Sequence, residues 1–419
     1  MGESQYDIVV VGAGLVGLAT ARALLHQSSS GQPSSLQASP ATDLRLLVLD
    51  QEQRVASHQS GHNSGVVHSG LYYKPGSLKA RLCAEGREAL YRYCQRREIA
   101  VERCGKLVVA VDESEIPALE ELHRRGVANG LDGIERLDEA GIRAREPAIR
   151  GVAGLWVPQT GIVDYRVVAE AYAADVEAGG GQLRTGARVL SVQRREGINR
   201  LQVRTGRGVE EVDCRLLVAC AGLWSDRLAR AAGLRPAVRI VPFRGEYYEL
   251  KAHCQDLVKN LVYPVPDPRF PFLGVHFTRL VGGGVEAGPN AVLALARDGY
   301  TWGRVSWRDL ASALLYPGFL RLALRYGRVG IMEVARSLSS RAFHRSLQRL
   351  MPELRREDLV RAGAGVRAQA LRPDGRLVDD FALIEGEGQI HVLNAPSPAA
   401  TASLAIGVEI ARRAMRLAD

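Results

Sequence analysis

The chain has 419 residues, more than one hydrophobic core ordinarily supports, so two interleaved domains are expected. Hydrophobic residues make up 46% and charged residues 24%, the balance of a globular protein, and no run of 18 apolar residues is present to span a bilayer. A formal net charge of +9 suits nucleic acid, an anionic membrane or acidic substrates, but no helix-turn-helix, zinc-finger or RNP pattern accompanies it, which sets nucleic acid aside.

In chain order, residues 7–17 read DIVVVGAGLVG. Ile8, Val9, Val10 and Val11 have the composition of a buried parallel strand. Gly12, Gly14 and Gly17 take the GxGxxG spacing and open an apolar-periodic helix over 15–26. Gly12 permits the tight turn, Gly14 lets a pyrophosphate approach the backbone, and Gly17 lets helix and strand close. Glycines in an ordinary turn can match this spacing, but here strand and helix flank it as a dinucleotide site requires. A second strand, 44–50 (LRLLVLD), ends in Asp50, an acid placed for ribose hydroxyls. Asp50 follows Gly12 by 38 residues, an excess explained by a Ser/Pro/Gly/Gln-rich surface insertion at 28–43. Without it the spacing returns to the usual value of roughly 20.

Next come a Gly/His/Ser-rich loop over 57–73, a helix over 78–98, a strand over 106–112 and a charged helix over 116–129. A strand at 154–158, a helix over 165–178 and strands over 182–192 and 200–205 lead to a buried strand, 214–219. That strand ends in Cys220, Ala221 and Gly222, small residues that leave room beside a cofactor. Segments 240–250, 261–266, 273–278 and 280–285 predict an antiparallel sheet, and 383–393 with a helix over 400–417 return to the first unit. The expected fold is α/β, α+β overall. A Rossmann-like domain from 1–80, 150–235 and 360–419 interleaves with an antiparallel-sheet substrate domain from 81–149 and 236–359 that carries extra helices.

Residues 305–354 predict two of those helices, 307–326 (broken near Pro317) and 331–350. Ile331, Val334, Leu338, Phe343, Leu347 and Leu350 recur at helical spacing, with Arg336, Arg341, Arg345 and Arg349 between them. Two readings stand: a helical cap, or an interfacial patch for an anionic membrane. The six cysteines form no CxxC pair and have no histidine at ligand spacing, so no metal is expected and the thiols suit a reducing compartment. No charged leader precedes the first strand, and Tyr6 stands where myristoylation wants Ser or Thr. The expected location is cytoplasmic, or peripheral on the inner face of the cell membrane.

Three blocks carry a resemblance: SGHNSGVVHSGLYYKPGSLKARLC (60–83), PVPDPRFPFLGVHFTR with GPNAVLA (264–279, 288–294), and AGVRAQA with DDF and NAPSPAATASLAIG (364–370, 379–381, 394–407). Together they resemble the L-2-hydroxyglutarate oxidase/dehydrogenase family within the D-amino-acid-oxidase-like FAD-dependent oxidoreductases, over nearly the whole chain. The resemblance implies FAD-dependent oxidation of L-2-hydroxyglutarate to 2-oxoglutarate, with electrons passed to a membrane quinone of the respiratory chain, an artificial acceptor or oxygen. An amine or amino-acid oxidase of the same fold is the alternative. The insertion at 28–43 is the main departure.

Such a reaction needs the C2 hydride at flavin N5, a base for the hydroxyl proton and cations for the carboxylates. In this fold the loop after the second strand runs along the flavin, which implies contacts from His62, Asn63, Ser64, Gly65 and His68. Histidine titrates nearest neutrality, and His62 is favoured over His68 as the base. The implied carboxylate ligands are Tyr73, Lys79, Arg81, Arg244, His276 and Arg279, with Asn290 offering a neutral amide to the reacting oxygen. FAD contacts carry over to Gly12, Gly14, Gly17, Asp50, Val189, Ala221, Gly222, Arg367, Pro396, Ser397 and Ala399. Residues 394–399 are expected to open the last helix toward the flavin pyrimidine. Related amine dehydrogenases bond FAD to a histidine near the position of His62 or to a C-terminal cysteine. No cysteine follows Cys254, and noncovalent FAD is expected.

Overall fold

The computed structural model describes residues 5–29, 44–266 and 274–418. Its first sheet has eight strands. Gln5–Val11 lies between Leu46–Leu49 and Gly208–Ala219, all parallel, with Ile8 level with Leu46 and Leu216, and Val10 with Val48 and Val218. These runs are apolar on both faces because both faces are covered. Ile8, Val10, Val48 and Val218 pack under the helices Leu15–Ser29, Tyr165–Ala178 and Ser403–Ala418, while Val9, Leu47 and Leu217 pack against Val192 and Leu201. Gly208–Ala219 serves twice: its first half closes an antiparallel ribbon with Ile198–Thr205, and its second half runs beside Gln389–Asn394.

The second sheet has nine strands. Arg239–Leu250 and Leu359–Leu371 pair antiparallel along their length, with a bulge between Glu246 and Tyr248. Lys106–Ala110, buried throughout, runs parallel to Leu261–Pro264 and antiparallel to Ala153–Val157. The two sheets interleave along the chain, but boundaries drawn at 150 and 360 need moving. The strands Ala153–Val157 and Leu359–Leu371 pair into the second sheet.

Of the insertion expected at 28–43, residues 28 and 29 complete the first helix, and 30–43 lie outside the described residues. So does the start of the strand expected at 273–278, which is seen as His276–Arg279. The strand expected from 280 begins only at Val285, because Gly283 and Gly284 take positive φ in a turn closed by Leu280 and Gly284. Between residues 305 and 354 the described α-helices are Trp307–Leu314, Pro317–Leu338 (kinked at Tyr326) and Ser340–Leu347. The break expected near Pro317 falls at Leu315 and Tyr316, and Pro317 starts the long helix, since its ring suits the first helical turn. The apolar face expected there divides. Phe343, Leu347 and Leu350 enter the core of the second sheet, whereas Ile331 is 72% exposed and Leu338 also faces outward.

Candidate active site

The C-terminal ends of the three central parallel strands open onto one cavity of about 1360 Å³. Gly12 has φ +112°, and a Cβ on it would lie 2.3 Å from the Cys220 carbonyl oxygen. A Cβ on Gly17 would lie 1.9 Å from the Gly12 carbonyl oxygen, so strand, turn and helix close only with glycine at both positions. Asp50 Oδ2 accepts the Ala13 N–H at 2.6 Å and Oδ1 accepts the Glu52 N–H at 2.8 Å, which fixes the acid beside the turn. Burial raises its pKa against those hydrogen bonds. Ser60 Oγ accepts the Leu15 N–H at 3.0 Å, a contact to the first helical turn of which the glycine spacing carries no sign. Gly14, Val189, Ala221 and Gly222 line the same end. A side-chain-free cradle at a helix N-terminus with a fixed acid beside it fits the adenosine diphosphate half of FAD, and the volume exceeds the ~300–1,000 Å³ of ordinary small-ligand sites.

From this cradle the cavity extends past the loop after the second strand to the second sheet. His58 ties the loop down, with Nε2 2.9 Å from Glu52 Oε1 and Nδ1 3.1 Å from the Tyr300 hydroxyl. His62 Nδ1 lies 3.1 Å from the His58 carbonyl oxygen, its ring lies tilted against that of Tyr300 with centroids 4.3 Å apart, and burial lowers its pKa. Asn63 spends its amide on the loop, donating to the carbonyls of Gln59 and Ser60 and accepting the Gly65 N–H, while Ser64 lines the cavity.

His68 lies deeper. Its backbone N–H donates to Thr401 Oγ1 at 3.0 Å and its Nε2 lies 3.4 Å from Ser397 Oγ. Burial, reinforced by the charges of Lys106 and His276, pushes its pKa down to about 3. On the second sheet His276 stacks on Tyr263 at 3.8 Å, and burial pushes it likewise to about 3. Lys79 Nζ donates to the Asp379 carbonyl at 3.1 Å and lies 4.8 Å from the Tyr73 ring. Tyr73, Lys79, Arg367, Pro396, Ser397 and Ala399 all line the cavity. The arrangement places imidazoles that are neutral at physiological pH beside cations, a set able to accept a proton and hold carboxylates. Lys106, hidden from sequence reasoning inside an apolar strand, joins this cluster.

Five expected ligands do not line the cavity: Gly65, Arg81, Arg244, Arg279 and Asn290. Gly65 turns the loop at φ +67° against the Val163 carbonyl. Arg81 is exposed on the helix Leu78–Arg96, 3.6 Å from Glu85. Arg279 forks onto Glu102 at 2.8 and 3.1 Å. Arg244 alternates away from Gly245 and Tyr247, which do line the cavity, and stacks 4.2 Å over Trp302 beside Glu246. Asn290 spends its amide on Glu246, accepting its N–H at 2.7 Å and donating to Oε2 at 3.2 Å. The last helix starts at Ser403, and residues 396–400 reach the cavity as a turn ahead of it. Away from the cavity the fold gathers His253, Cys254 and Asp358, a grouping that their spacing in the chain conceals.

The family model for FAD dependent oxidoreductases, DAO, matches residues 7–413. The L-2-hydroxyglutarate dehydrogenase of Indibacter alkaliphilus is 45% identical over 413 residues, covering 98% of this chain and 99% of that protein. The mitochondrial L-2-hydroxyglutarate dehydrogenase of Homo sapiens is 44% identical over 97% of this chain and 88% of its own length. Among solved structures, the L-alpha-glycerophosphate oxidase of Mycoplasma pneumoniae with FAD bound superposes with a TM-score of 0.76 at 20% identity, covering 99% of this chain and 94% of that one. The glycine oxidase of Geobacillus kaustophilus gives 0.72 at 18%, over 99% and 95%. These last two are likenesses of fold.

Proposed function

The chain belongs to the DAO family of FAD-dependent oxidoreductases and, within it, to the L-2-hydroxyglutarate dehydrogenases, and we propose that it oxidises L-2-hydroxyglutarate to 2-oxoglutarate. The observation that carries the reading is one cavity running from a glycine cradle to a wall bearing His68, Lys79, His276 and Arg367. The names of the relatives supply the substrate.

Bound FAD supplies the acceptor for the C2 hydride. Gly12, Gly14, Gly17, Asp50, Ala221 and Gly222 would hold its adenosine diphosphate half, while residues 396–399 would bound the flavin half. Attachment is noncovalent. His68 accepts the hydroxyl proton: its ring is neutral near pH 7, and the anionic substrate raises its basicity. We assign this role to His68 over His62 because His68 belongs to the cluster with Lys106 and His276, whereas His62 packs on Tyr300. Lys79, His276 and Arg367 offer donors to carboxylates.

Anaerobic mixing tests the reading. L-2-hydroxyglutarate is expected to bleach the flavin far faster than the D isomer or L-lactate, since one enantiomer alone presents its C2 hydrogen with both carboxylates held. Lactate also forfeits the remote binding energy. Faster bleaching by sarcosine or glycine would move the chain to the amine oxidases.

The outlet for the electrons is a membrane quinone, reached from the helices Trp307–Leu314 and Pro317–Leu338. Leu324 is 87% exposed there, Trp307, Leu315 and Ile331 are exposed too, and Arg325 and Arg328 stand among them. Apolar and basic residues on one surface suit an anionic leaflet. No described helix is long and apolar enough to cross a membrane, so docking on the inner face is the mode of contact. Binding to anionic liposomes should exceed binding to neutral ones and weaken with salt. Leu324→Ser with Ile331→Ser and Arg325→Glu should abolish it and spare dye-linked activity. A wild type that ignores anionic vesicles at low salt makes these helices a cap on the second sheet.

A further inference from the structure

We propose that Lys106, with the Tyr72 hydroxyl, binds the carboxylate of the substrate that is remote from the reacting carbon, an inference resting on the hydroxy-diacid reading above. Lys106 stands on the buried strand Lys106–Ala110 and is 1% exposed. Its ammonium lies 4.4 Å from the Tyr72 ring and 5.0 Å from the Tyr263 ring, and both tyrosines line the cavity. Among the described residues no carboxylate or carbonyl pairs with this ammonium, which faces the two aromatic rings. A buried unpaired cation is costly, so it either loses its proton or takes an anion. Burial, opposed only weakly by Cys83, accordingly brings its pKa down to about 7.

A second feature points the same way. The Tyr72 hydroxyl is buried and has no hydrogen-bond partner among the described residues. The Tyr72 hydroxyl in the cavity wall and the ammonium seated behind the Tyr72 and Tyr263 rings suit a carboxylate that accepts from each as those rings give way. The remote carboxylate is the one concerned, because Lys106 belongs to the second sheet while His68 meets Ser397 at the cofactor side. The groups facing Lys106 do not compete for its titration. Burial holds the Cys83 thiol at about 12 and the tyrosines Tyr72 and Tyr263 above their usual range, and it keeps His68 and His276 neutral at about 3. Lys79, the other ammonium, is engaged by the Asp379 carbonyl.

The holoenzymes of Lys106→Met and Tyr72→Phe test this with L-2-hydroxyglutarate and, as the monoacid control, L-lactate. Lys106→Met is expected to raise KM for the diacid roughly 10²-fold and Tyr72→Phe roughly 10-fold, each lowering the ratio of diacid to lactate kcat/KM by about the same factor, with FAD content unchanged. The wild-type kcat/KM for the diacid should fall as pH rises through about 7, since the charged ammonium is the binding form, and this fall should vanish in Lys106→Met. If Lys106→Met does not fold, Tyr72→Phe decides alone. Equal losses on diacid and monoacid, or a diacid KM unmoved in both variants, overturn the assignment. A wild type that prefers another 2-hydroxy diacid refutes the named substrate instead, and the same comparison with that acid judges Lys106.

Discussion

His68→Ala should slow reduction of the bound flavin by L-2-hydroxyglutarate by ~10²-fold or more, the range that a positioned general base contributes. Bound FAD should change little, because the backbone N–H of His68, not its ring, donates to Thr401, and the contact of the ring with Ser397 Oγ is long at 3.4 Å. His62→Ala should act differently. Its ring packs at a tilt against Tyr300 and its Nδ1 meets the His58 carbonyl, so its removal loosens the loop that also carries Ser60 to the first helical turn. That variant should lose FAD affinity and stability before it loses rate at saturating FAD. Stopped-flow reduction of the two reconstituted variants separates the roles. Wild-type reduction by His68→Ala, with a ~10²-fold loss in His62→Ala, reverses the assignment, and wild-type rates in both remove histidine of this loop from proton transfer.

The legible part of this protein was its cofactor half. A strand buried on both faces, a glycine turn and an acid closing the second strand are local patterns, and each answers to a steric or hydrogen-bonding need that one segment states by itself. Gly12, Gly17 and Asp50 therefore stand where the spacing put them. The substrate half is assembled from distant strands, and there composition misleads. Arg279 reads as a carboxylate ligand, yet Glu102, far away in sequence, occupies its fork. Asn290 is consumed by Glu246. Arg244 sits on the wrong side of an alternation whose phase depends on the bulge before Tyr248. Lys106 was invisible for the converse reason: a lysine opening an apolar strand reads as an edge residue until its neighbours bury it. The helices from Pro317 to Leu347 show the same limit, since a periodic apolar pattern reads alike whether a sheet covers it, as at Phe343, or it faces outward, as at Ile331.

Gly17→Ala should give a protein without bound flavin. In an exposed helix interior such a change stabilises by about 1 kcal/mol, because glycine surrenders more backbone freedom than alanine. Gly330, in the helix Pro317–Leu338, is the matched control: a Cβ there would meet no atom within 4 Å, and Gly330→Ala should be neutral or slightly stabilising. At Gly17 the same methyl group would stand 1.9 Å from the Gly12 carbonyl oxygen and 3.3 Å from Cys220 Cβ. The first contact is with backbone, so no side chain can swing aside. The helix must lift from the strand or the turn must open, and either motion moves the Ala13 N–H away from Asp50 and withdraws the helix N-terminus from the phosphates. With noncovalent attachment, the loss appears directly as absent absorbance of the purified protein and a fall in Tm that added FAD does not restore. A yellow Gly17→Ala protein with unchanged Tm would mean that the first strand, turn and helix do not hold the cofactor as described.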